Sequence, residues 1–297
     1  METRQDLKSG MIAIVGAPNA GKSTLLNRLL RQKISITSKK PQTTRNRILG
    51  ILNRSGVQLI FLDTPGVYHA AGPLNERIVE LALSALNDAD VILMLSDAAA
   101  PSSADAYVLE KLAGTTRPVV LALNKIDIVA KPELLKLIDD WSHRYSFRAI
   151  VPVSATHGTQ VDQLVDALAE ILPCGPPLYP PDSLTDLPER FIAAEMIREK
   201  VFRLTGQEIP YASAVTVETF SEDKGGRLVR ILATIHVERE SQKGIVIGKQ
   251  GQKLKQIGEA ARAEIERMLG CQVFLKLFVR VQKNWTKDAK ALQRFGY

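Results

Sequence analysis

Eight residues near the start of the chain, Gly16-Ala17-Pro18-Asn19-Ala20-Gly21-Lys22-Ser23, read G-x-x-x-x-G-K-S. That spacing suits one task, wrapping the phosphates of a nucleotide. Backbone N–H groups at a helix N-terminus point at the anion, and the helix dipole favours its charge. Gly16 and Gly21 allow a tight turn and close approach to the phosphates. Lys22 places a cation on the terminal phosphates, and the Ser23 hydroxyl is a Mg²⁺ ligand, with Thr24 next to it.

Three further groups fit the same chemistry. Asp63-Thr64-Pro65-Gly66 is a D-x-x-G: Asp63 holds Mg²⁺ through water, and the Gly66 N–H reaches a γ-phosphate. Asn124-Lys125-Ile126-Asp127 selects the base. A carboxylate at Asp127 accepts from N1–H and N2–H₂ of guanine, a donor pair that adenine lacks. Asn124 braces the loop and reaches N7, and the Lys125 stem lies over the base plane. Ser154-Ala155 supplies backbone N–H groups for the guanine O6. Val67 stands where Ras-like GTPases carry a water-orienting Gln. An apolar side chain cannot orient water by hydrogen bonding, so intrinsic hydrolysis is expected to be slow without a cation, a backbone group or a partner.

Each of these groups needs a strand end to hold it. Met11–Val15 is a short apolar run before the first motif, and Leu25, Leu26, Leu29 and Leu30 follow it at helical spacing. Residues 34–47 are polar, with Lys39-Lys40-Pro41-Gln42-Thr43-Thr44-Arg45, and read as a loop beside the phosphates. Strands are predicted over 47–52 and 57–62, joined by Asn53-Arg54-Ser55-Gly56, and over 90–96, 118–123 and 149–153. A helix over 160–172 closes the unit. The strand–helix alternation predicts an α/β doubly wound, mostly parallel sheet with the ligand at its carboxyl edge.

Charge is uneven along the 297 residues. The net is +7, yet residues 243–297 alone hold twelve Lys/Arg against four Asp/Glu. A polyanion, nucleic acid or an anionic membrane surface, is the partner such a region suits. Six of the fifteen prolines fall between Leu172 and Pro188. That run reads as a semi-rigid spacer and domain boundary.

Beyond it, a helix over 189–204, strands over 211–220 and 228–238, a turn over 221–227, a helix through Leu254–Leu269 and a strand over 271–281 are expected. Between them stands Ile245-Val246-Ile247-Gly248-Lys249-Gln250-Gly251. In a G-x-x-G turn the backbone comes close to a sugar-phosphate chain. Lys249 then neutralises a phosphate, Gln250 lies in the turn, Ile245 and Ile247 floor the unstacked bases, and Lys253 and Lys255 add positive charge.

Two resemblances rest on these residues. G-x-P-N-x-G-K-S-T, Thr-Thr-Arg and D-T-P-G resemble the Era and tRNA-modification branch of the translation-factor-related GTPases. V-I-G-K-Q-G with L-K-x-I and A-R-x-x-I, in the order α-β-β-α-α-β, resembles a type II KH domain, an α+β fold. Together with K-x-W near the end and the final F-G-Y, the whole chain resembles the bacterial Era family. The resemblance implies GTP/GDP and Mg²⁺ as cofactors. Thr44 is then the switch residue that closes on Mg²⁺ (Thr43 the second choice), and Asn19 a K⁺ ligand. It also implies a KH domain that binds single-stranded small-subunit ribosomal RNA near its 3′ end, in 30S maturation.

The expected layout is a GTP-binding domain over 1–172, a Pro-rich linker over 173–187, a KH domain over 188–282 and a basic helix over 283–297. Catalysis is assigned to Lys22, Thr44, Asp63 and Gly66. Met1–Gly10 has no apolar core and no apolar run spans a bilayer, so a cytoplasmic monomer is expected, with weak association at the inner face of the membrane. The alternatives are a membrane-associated regulatory GTPase whose basic end binds anionic lipid, and an RNA chaperone that keeps GTP as a structural ligand. Cys174 and Cys271, and the four scattered histidines, carry no assigned chemistry.

Overall fold

The structure, a computed structural model, describes residues 7–38, 40, 43–70, 72–206, 209–223 and 225–295. Lys39, Pro41 and Gln42 of the polar loop, Lys224 of the predicted turn, the Met1–Asp6 end and the terminal Gly296-Tyr297 lie outside the described residues. The chain divides into two units.

The first unit is built on a six-stranded sheet in the order β2-β3-β1-β4-β5-β6. Its strands are β1 (Lys8–Gly16), β2 (Ile48–Arg54), β3 (Val57–Asp63), β4 (Val91–Asp97), β5 (Val119–Asn124) and β6 (Ala149–Val153). β2 pairs antiparallel with β3, and the other pairings are parallel. Every residue of β5, and all of β4 but its last, is buried, because helices cover both faces of a parallel sheet. The helices are α1 (Lys22–Leu30), α2 (Pro73–Asp88), α3 (Ser103–Leu112), α4 (Lys131–Arg144) and α5 (Val161–Ile171).

The motifs all follow from this topology. Parallel strands share a direction, so the residues after β1, β3, β5 and β6 gather at one edge of the sheet. Helices α2, α3 and α4 had no sequence assignment beyond the expected alternation. α3 carries a capping box, Ser102 accepting from Ala104 N–H while Asp105 accepts from Ser102 N–H. α2 and α4 each have a proline at their start.

The Pro-rich stretch, expected as a semi-rigid spacer, is fastened to the first unit. Residues up to Asp186 group with the first unit. The buried Gln58 side chain accepts from Leu178 and Tyr179 N–H at 2.8 and 3.0 Å and donates to Tyr179 O at 2.9 Å. Ile51 N–H, on the outer strand β2, donates to Leu184 O at 2.8 Å. Prolines cannot donate to a ladder, so side chains and occasional backbone groups fasten the segment instead.

The second unit contains residues 36–43, 72–74 and 187–297. It runs α6 (Glu189–Leu204), β7 (Ala214–Glu222), β8 (Leu228–Val237), α7 (Glu240–Ile247), α8 (Gln252–Leu269) and β9 (Gln272–Val281). The sheet order is β7-β8-β9, antiparallel then parallel. Val229, Ile231, Ala233, Ile235 and Val237 alternate along β8 and are buried, and Ile257, Ala261 and Ile265 of α8 are buried likewise.

α6 is buried nearly all round, including Glu195, Arg198, Glu199 and Lys200. Arg198 pairs with Glu195 at 2.6 Å, Lys200 with Glu199 at 2.8 Å and with Glu264, and Glu199 accepts from Thr37 N–H at 3.0 Å. The last segment is shorter than a helix over 283–297. A single turn at Trp285–Lys287 precedes α9 (Ala289–Arg294). Trp285 is buried and donates to Ala212 O at 3.1 Å, while the Phe295 ring lies tilted at 45° to that of His236 with centroids 4.6 Å apart.

Candidate functional site

At the end of β1 the loop Gly16–Gly21 closes around the Lys22 ammonium, which donates to Gly16 O and Ala17 O at 2.9 Å each. Gly21 adopts φ 100°, and a Cβ there would lie 2.1 Å from the Asn124 amide nitrogen, so only glycine fits. Lys22 is 6% exposed. Burial holds its pKa down to about 8, against the opposing pull of Asp63 and Asp105. Pro18 packs against Gly66, and exposed Asn19 takes a positive φ of 64° at the loop tip. Ala20 is buried, and its carbonyl accepts from the Asn124 amide at 2.8 Å.

Ser23, Thr44 and Asp63 meet in one cluster. Ser23 Oγ lies 2.7 Å from Asp63 Oδ2 and 2.8 Å from Thr44 Oγ1. Ser35 Oγ donates to the same Asp63 oxygen at 2.8 Å. Asp63 is fully buried, and its Oδ1 has no hydrogen-bond partner. Burial pushes the Asp63 carboxyl above its ordinary pKa, against the hydrogen bonds of Ser23 and Ser35 and the charge of Lys22.

An orphaned buried carboxylate oxygen beside two hydroxyls fits a hard divalent cation such as Mg²⁺. Among the described residues no group of three His, Cys, Asp or Glu could hold a metal. One carboxylate is what Mg²⁺ usually takes from protein, with water and phosphate oxygens filling the rest. Thr43 turns its hydroxyl to Lys40 O at 2.9 Å, which leaves Thr44 as the threonine at this cluster.

Thr64 Oγ1 donates to Ile14 O at 2.7 Å, pinning the turn that carries Pro65 and Gly66. Val67 N–H donates to Gly16 O at 3.1 Å. The Val67 side chain is 1% exposed and packs in the core with Ala13, Val15 and Leu62.

The base-selecting residues lie after β5 and β6. Asn124 uses both ends of its amide: Nδ2 donates to Ala20 O, and Oδ1 accepts from Ala155 N–H at 2.9 Å. Nδ2 spends one of its two hydrogens on Ala20 O, so the amide braces the loop and still has a second N–H, the group expected to reach N7. Ser154 N–H donates to Thr159 O at 3.0 Å, so both N–H groups expected to meet O6 have partners inside the protein. Lys125 has a left-handed backbone, φ 68°, and its ammonium pairs with Asp97. Ile126 packs against the core and Asp127 sits in the same turn. A hydrogen bond from Ser154, the largest effect, holds the Asp127 carboxyl below its ordinary pKa, with a further pull from His157.

Two residues here had no assignment from sequence. His157 Nδ1 stands 3.6 Å from Asp127 Oδ2. Arg28 reaches from α1 to the loop after β6, donating to Ala155 O at 3.1 Å and to Thr156 O. No spacing rule links Arg28 to position 155, so nothing in the sequence marks it.

In the second unit α7 ends at Ile247 and α8 starts at Gln252, with a tight turn between. Gly248 has φ 72°, and a Cβ there would sit 2.6 Å from the Lys253 Cβ. Gln250 and Gly251 also take positive φ. Lys249, Gln250, Lys255 and Ile245 are exposed, whereas Ile247 and Lys253 are half-buried. Beside the turn lies a groove of about 380 Å³ between α8 and β9, lined by Gly251, Leu254, Lys255, Gly258, Arg262 and Lys276, with Glu259 paired to Lys255 at 3.9 Å. A floor of small and apolar groups, with a rim of three cations against one carboxylate, suits an unstacked, single-stranded polyanion. Leu254, Gly258, Arg262 and Lys276 were not foreseen, because the groove is formed by two segments brought together only by the fold.

Comparison with known proteins finds both domain types. A family model described as 50S ribosome-binding GTPase matches residues 11–125, and one described as KH domain matches residues 208–286. GTPase Era of Geotalea uraniireducens is 55% identical over 99% of this chain and 99% of its own. GTPase Era of Geobacter metallireducens is 54% identical over 98% of each. A crystal structure of an Aquifex aeolicus Era variant bound to GDP·AlF₄⁻ superposes with TM-score 0.94 at 42% identity, covering 98% of this chain and 99% of that one. A crystal structure of Era with MgGDPNP and nucleotides 1506–1542 of 16S ribosomal RNA superposes equally well, at the same identity and coverage.

Proposed function

The chain belongs to the Era family of GTPases, and from that premise we propose a GTP-driven switch that binds small-subunit ribosomal RNA near its 3′ end in 30S maturation. The observation that carries the nucleotide half is the Ser23–Thr44–Asp63 cluster at the foot of α1. Mg²⁺ held there would neutralise charge on the β- and γ-phosphate oxygens. Lys22 exchanges its two carbonyl partners for phosphate oxygens, and the Gly66 N–H donates to the γ-phosphate. Asp127 selects guanine while Asn124 and Arg28 hold its loop in place.

Val67 points into the core, so the attacking water takes its orientation from elsewhere. Intrinsic turnover is slow on this reading, and Asn19 at the loop tip is the residue proposed to help seat K⁺ against the phosphates. The RNA half is supported by the basic groove beside Gly248–Gly251. The Era structure that contains a 16S fragment supplies the RNA class.

Coupling between the halves has a simple support in the chain. Residue 43 belongs to the second unit, and Thr44, the next residue, bonds Ser23 in the first. γ-Phosphate and Mg²⁺ order such segments in other switch GTPases. The protein is proposed to act as a monomer in the cytoplasm, with any membrane association peripheral. Among the described residues no helix is long and apolar enough to cross a membrane. RNA crosslinking from cells, mapped to nucleotide positions, tests the proposal. Crosslinks concentrated near the 3′ end of small-subunit RNA are expected, and their absence there refutes it.

A further inference from the structure

His157 lies outside the four nucleotide motifs, in the loop that follows β6. Gly158 N–H donates to Ser154 O at 2.7 Å and Gly158 takes a positive φ of 81°, so the loop doubles back on itself. The His157 backbone N–H donates to Ser154 Oγ at 3.2 Å, and the ring Nδ1 lies 3.2 Å from the same oxygen. That ring atom also stands 3.6 Å from Asp127 Oδ2. A serine, a histidine and the base-selecting carboxylate therefore meet at one point.

The Ser154 hydroxyl has one proton, and it goes to Asp127. Nδ1 then donates to Ser154 Oγ, so it carries its hydrogen in the neutral ring and in the charged one alike. At 3.6 Å its approach to Asp127 is too long for a hydrogen bond. A swing of about one ångström makes it a charge-assisted bond to the carboxylate. The His157 side chain is 63% exposed, so it is free to swing and to take up a proton.

Charge around the ring sets the direction. Asp127, in the turn after β5, favours the imidazolium. Arg28, on α1, opposes it, because its guanidinium holds the neighbouring carbonyls of Ala155 and Thr156. Lys125, in the same turn as Asp127, is paired with Asp97. Histidine changes charge between about pH 5 and 8. Beside a neutral ring the carboxylate has lone pairs for Ser154 and for both guanine donors. An imidazolium drawn to Oδ2 takes the place of a guanine donor there and weakens the other oxygen as an acceptor.

We propose that His157 controls the access of guanine to Asp127: beside a neutral ring the carboxylate is open to the base, and a charged ring closes on Oδ2 and competes with the N1–H and N2–H₂ edge. This rests on Asp127 as the base selector and adds a positioning residue to it. Nucleotide binding then expels a proton from His157 in the acid part of the range, so affinity falls as pH falls.

The test uses the full chain at constant Mg²⁺, with GDP as the probe, between about pH 7.5 and 5.5. The ratio of wild-type to His157→Ala affinity is read, because titration of the nucleotide's own phosphates cancels in it. That ratio is expected to fall about three- to tenfold from the upper to the lower pH, the linkage of one ordinary histidine proton. His157→Asn, with a neutral N–H in the place of Nδ1, follows the alanine variant. By NMR the His157 imidazole, assigned by its loss in His157→Ala, titrates at a lower pH with GDP bound than without. A ratio constant within about twofold, a slope retained by His157→Asn, or a His157 titration that GDP leaves in place or raises overturns the proposal. Asp127→Asn keeps the premise separate. If it binds GDP as wild type does at about pH 7.5, Asp127 does not select the base. If it loses affinity there while the ratio stays constant, the role of His157 alone is removed.

Discussion

Ser23 and Asp63, forty positions apart, meet hydroxyl to carboxylate at 2.7 Å, and the other Asp63 oxygen is buried with no hydrogen-bond partner. A single relationship thus joins the phosphate loop to the end of β3 and leaves one lone-pair site for a cation. Asp63→Asn removes the charge but keeps the size. Mg²⁺-dependent GTP affinity is expected to fall about ten- to a hundredfold, and added EDTA to have little further effect. Nucleotide-free protein becomes more stable at pH 7, because a buried carboxylate held above its ordinary pKa costs free energy when ionised. Titration calorimetry with and without Mg²⁺, and thermal melting, read the two effects.

Lys22 gives a pH dependence. Its pKa in the protein is held down to about 8. Phosphate binds the charged form and raises that pKa, so GTP affinity is flat below pH 8 and declines above it, approaching tenfold per unit. Stability of the nucleotide-free chain runs the other way. The unfolded state binds the extra proton between pH 8 and the ordinary 10.5, so the cost of the buried charge is relieved as pH rises through that window. Lys22→Ala shows neither slope.

Asp127 carries base choice through its two acceptor oxygens. Asp127→Asn replaces one acceptor with a donor. GTP affinity is expected to fall about a hundredfold or more, and xanthosine triphosphate, with a carbonyl where guanine has an amine, to gain. Competition between the two nucleotides checks it. Unchanged selectivity would move the specificity to another residue.

Much of this site was legible because each motif is local and sits at the end of an apolar strand. Gly16–Ser23, Asp63–Gly66, Asn124–Asp127 and Ser154-Ala155 need only the parallel order of β1, β3, β5 and β6 to converge. What stayed hidden depends on partners distant in sequence. Arg28 meets Ala155 across 127 positions, and each Asn124 amide end bonds a neighbour that no periodicity reveals. The prolines between Leu172 and Pro188 read as a semi-rigid spacer because their composition is visible, whereas the Gln58 side chain that fastens part of the run to the first unit is not. Helices α2 and α4 had signals in plain view, a proline at each start.

Val67 separates packing from catalysis. Its side chain is buried among apolar residues. Val67→Ala is expected to destabilise the fold by about 1–3 kcal/mol while changing single-turnover GTP hydrolysis little at a temperature where the variant stays folded. A thousandfold loss of turnover at unchanged GTP affinity would make the side chain catalytic.

The central claim is that the nucleotide controls RNA binding, and one measurement tests it most directly. The affinity of the full chain for single-stranded RNA from the 3′ end of small-subunit ribosomal RNA is compared with Mg²⁺ and GDP, and with Mg²⁺ and a non-hydrolysable GTP analogue. Gly248→Ala serves as control, since a Cβ there meets Lys253 and distorts the turn. The account predicts tighter binding with the analogue, by at least about fivefold, the lower bound of ordinary allosteric coupling, and loss of both affinities in the control. Equal affinities with the two nucleotides would contradict it.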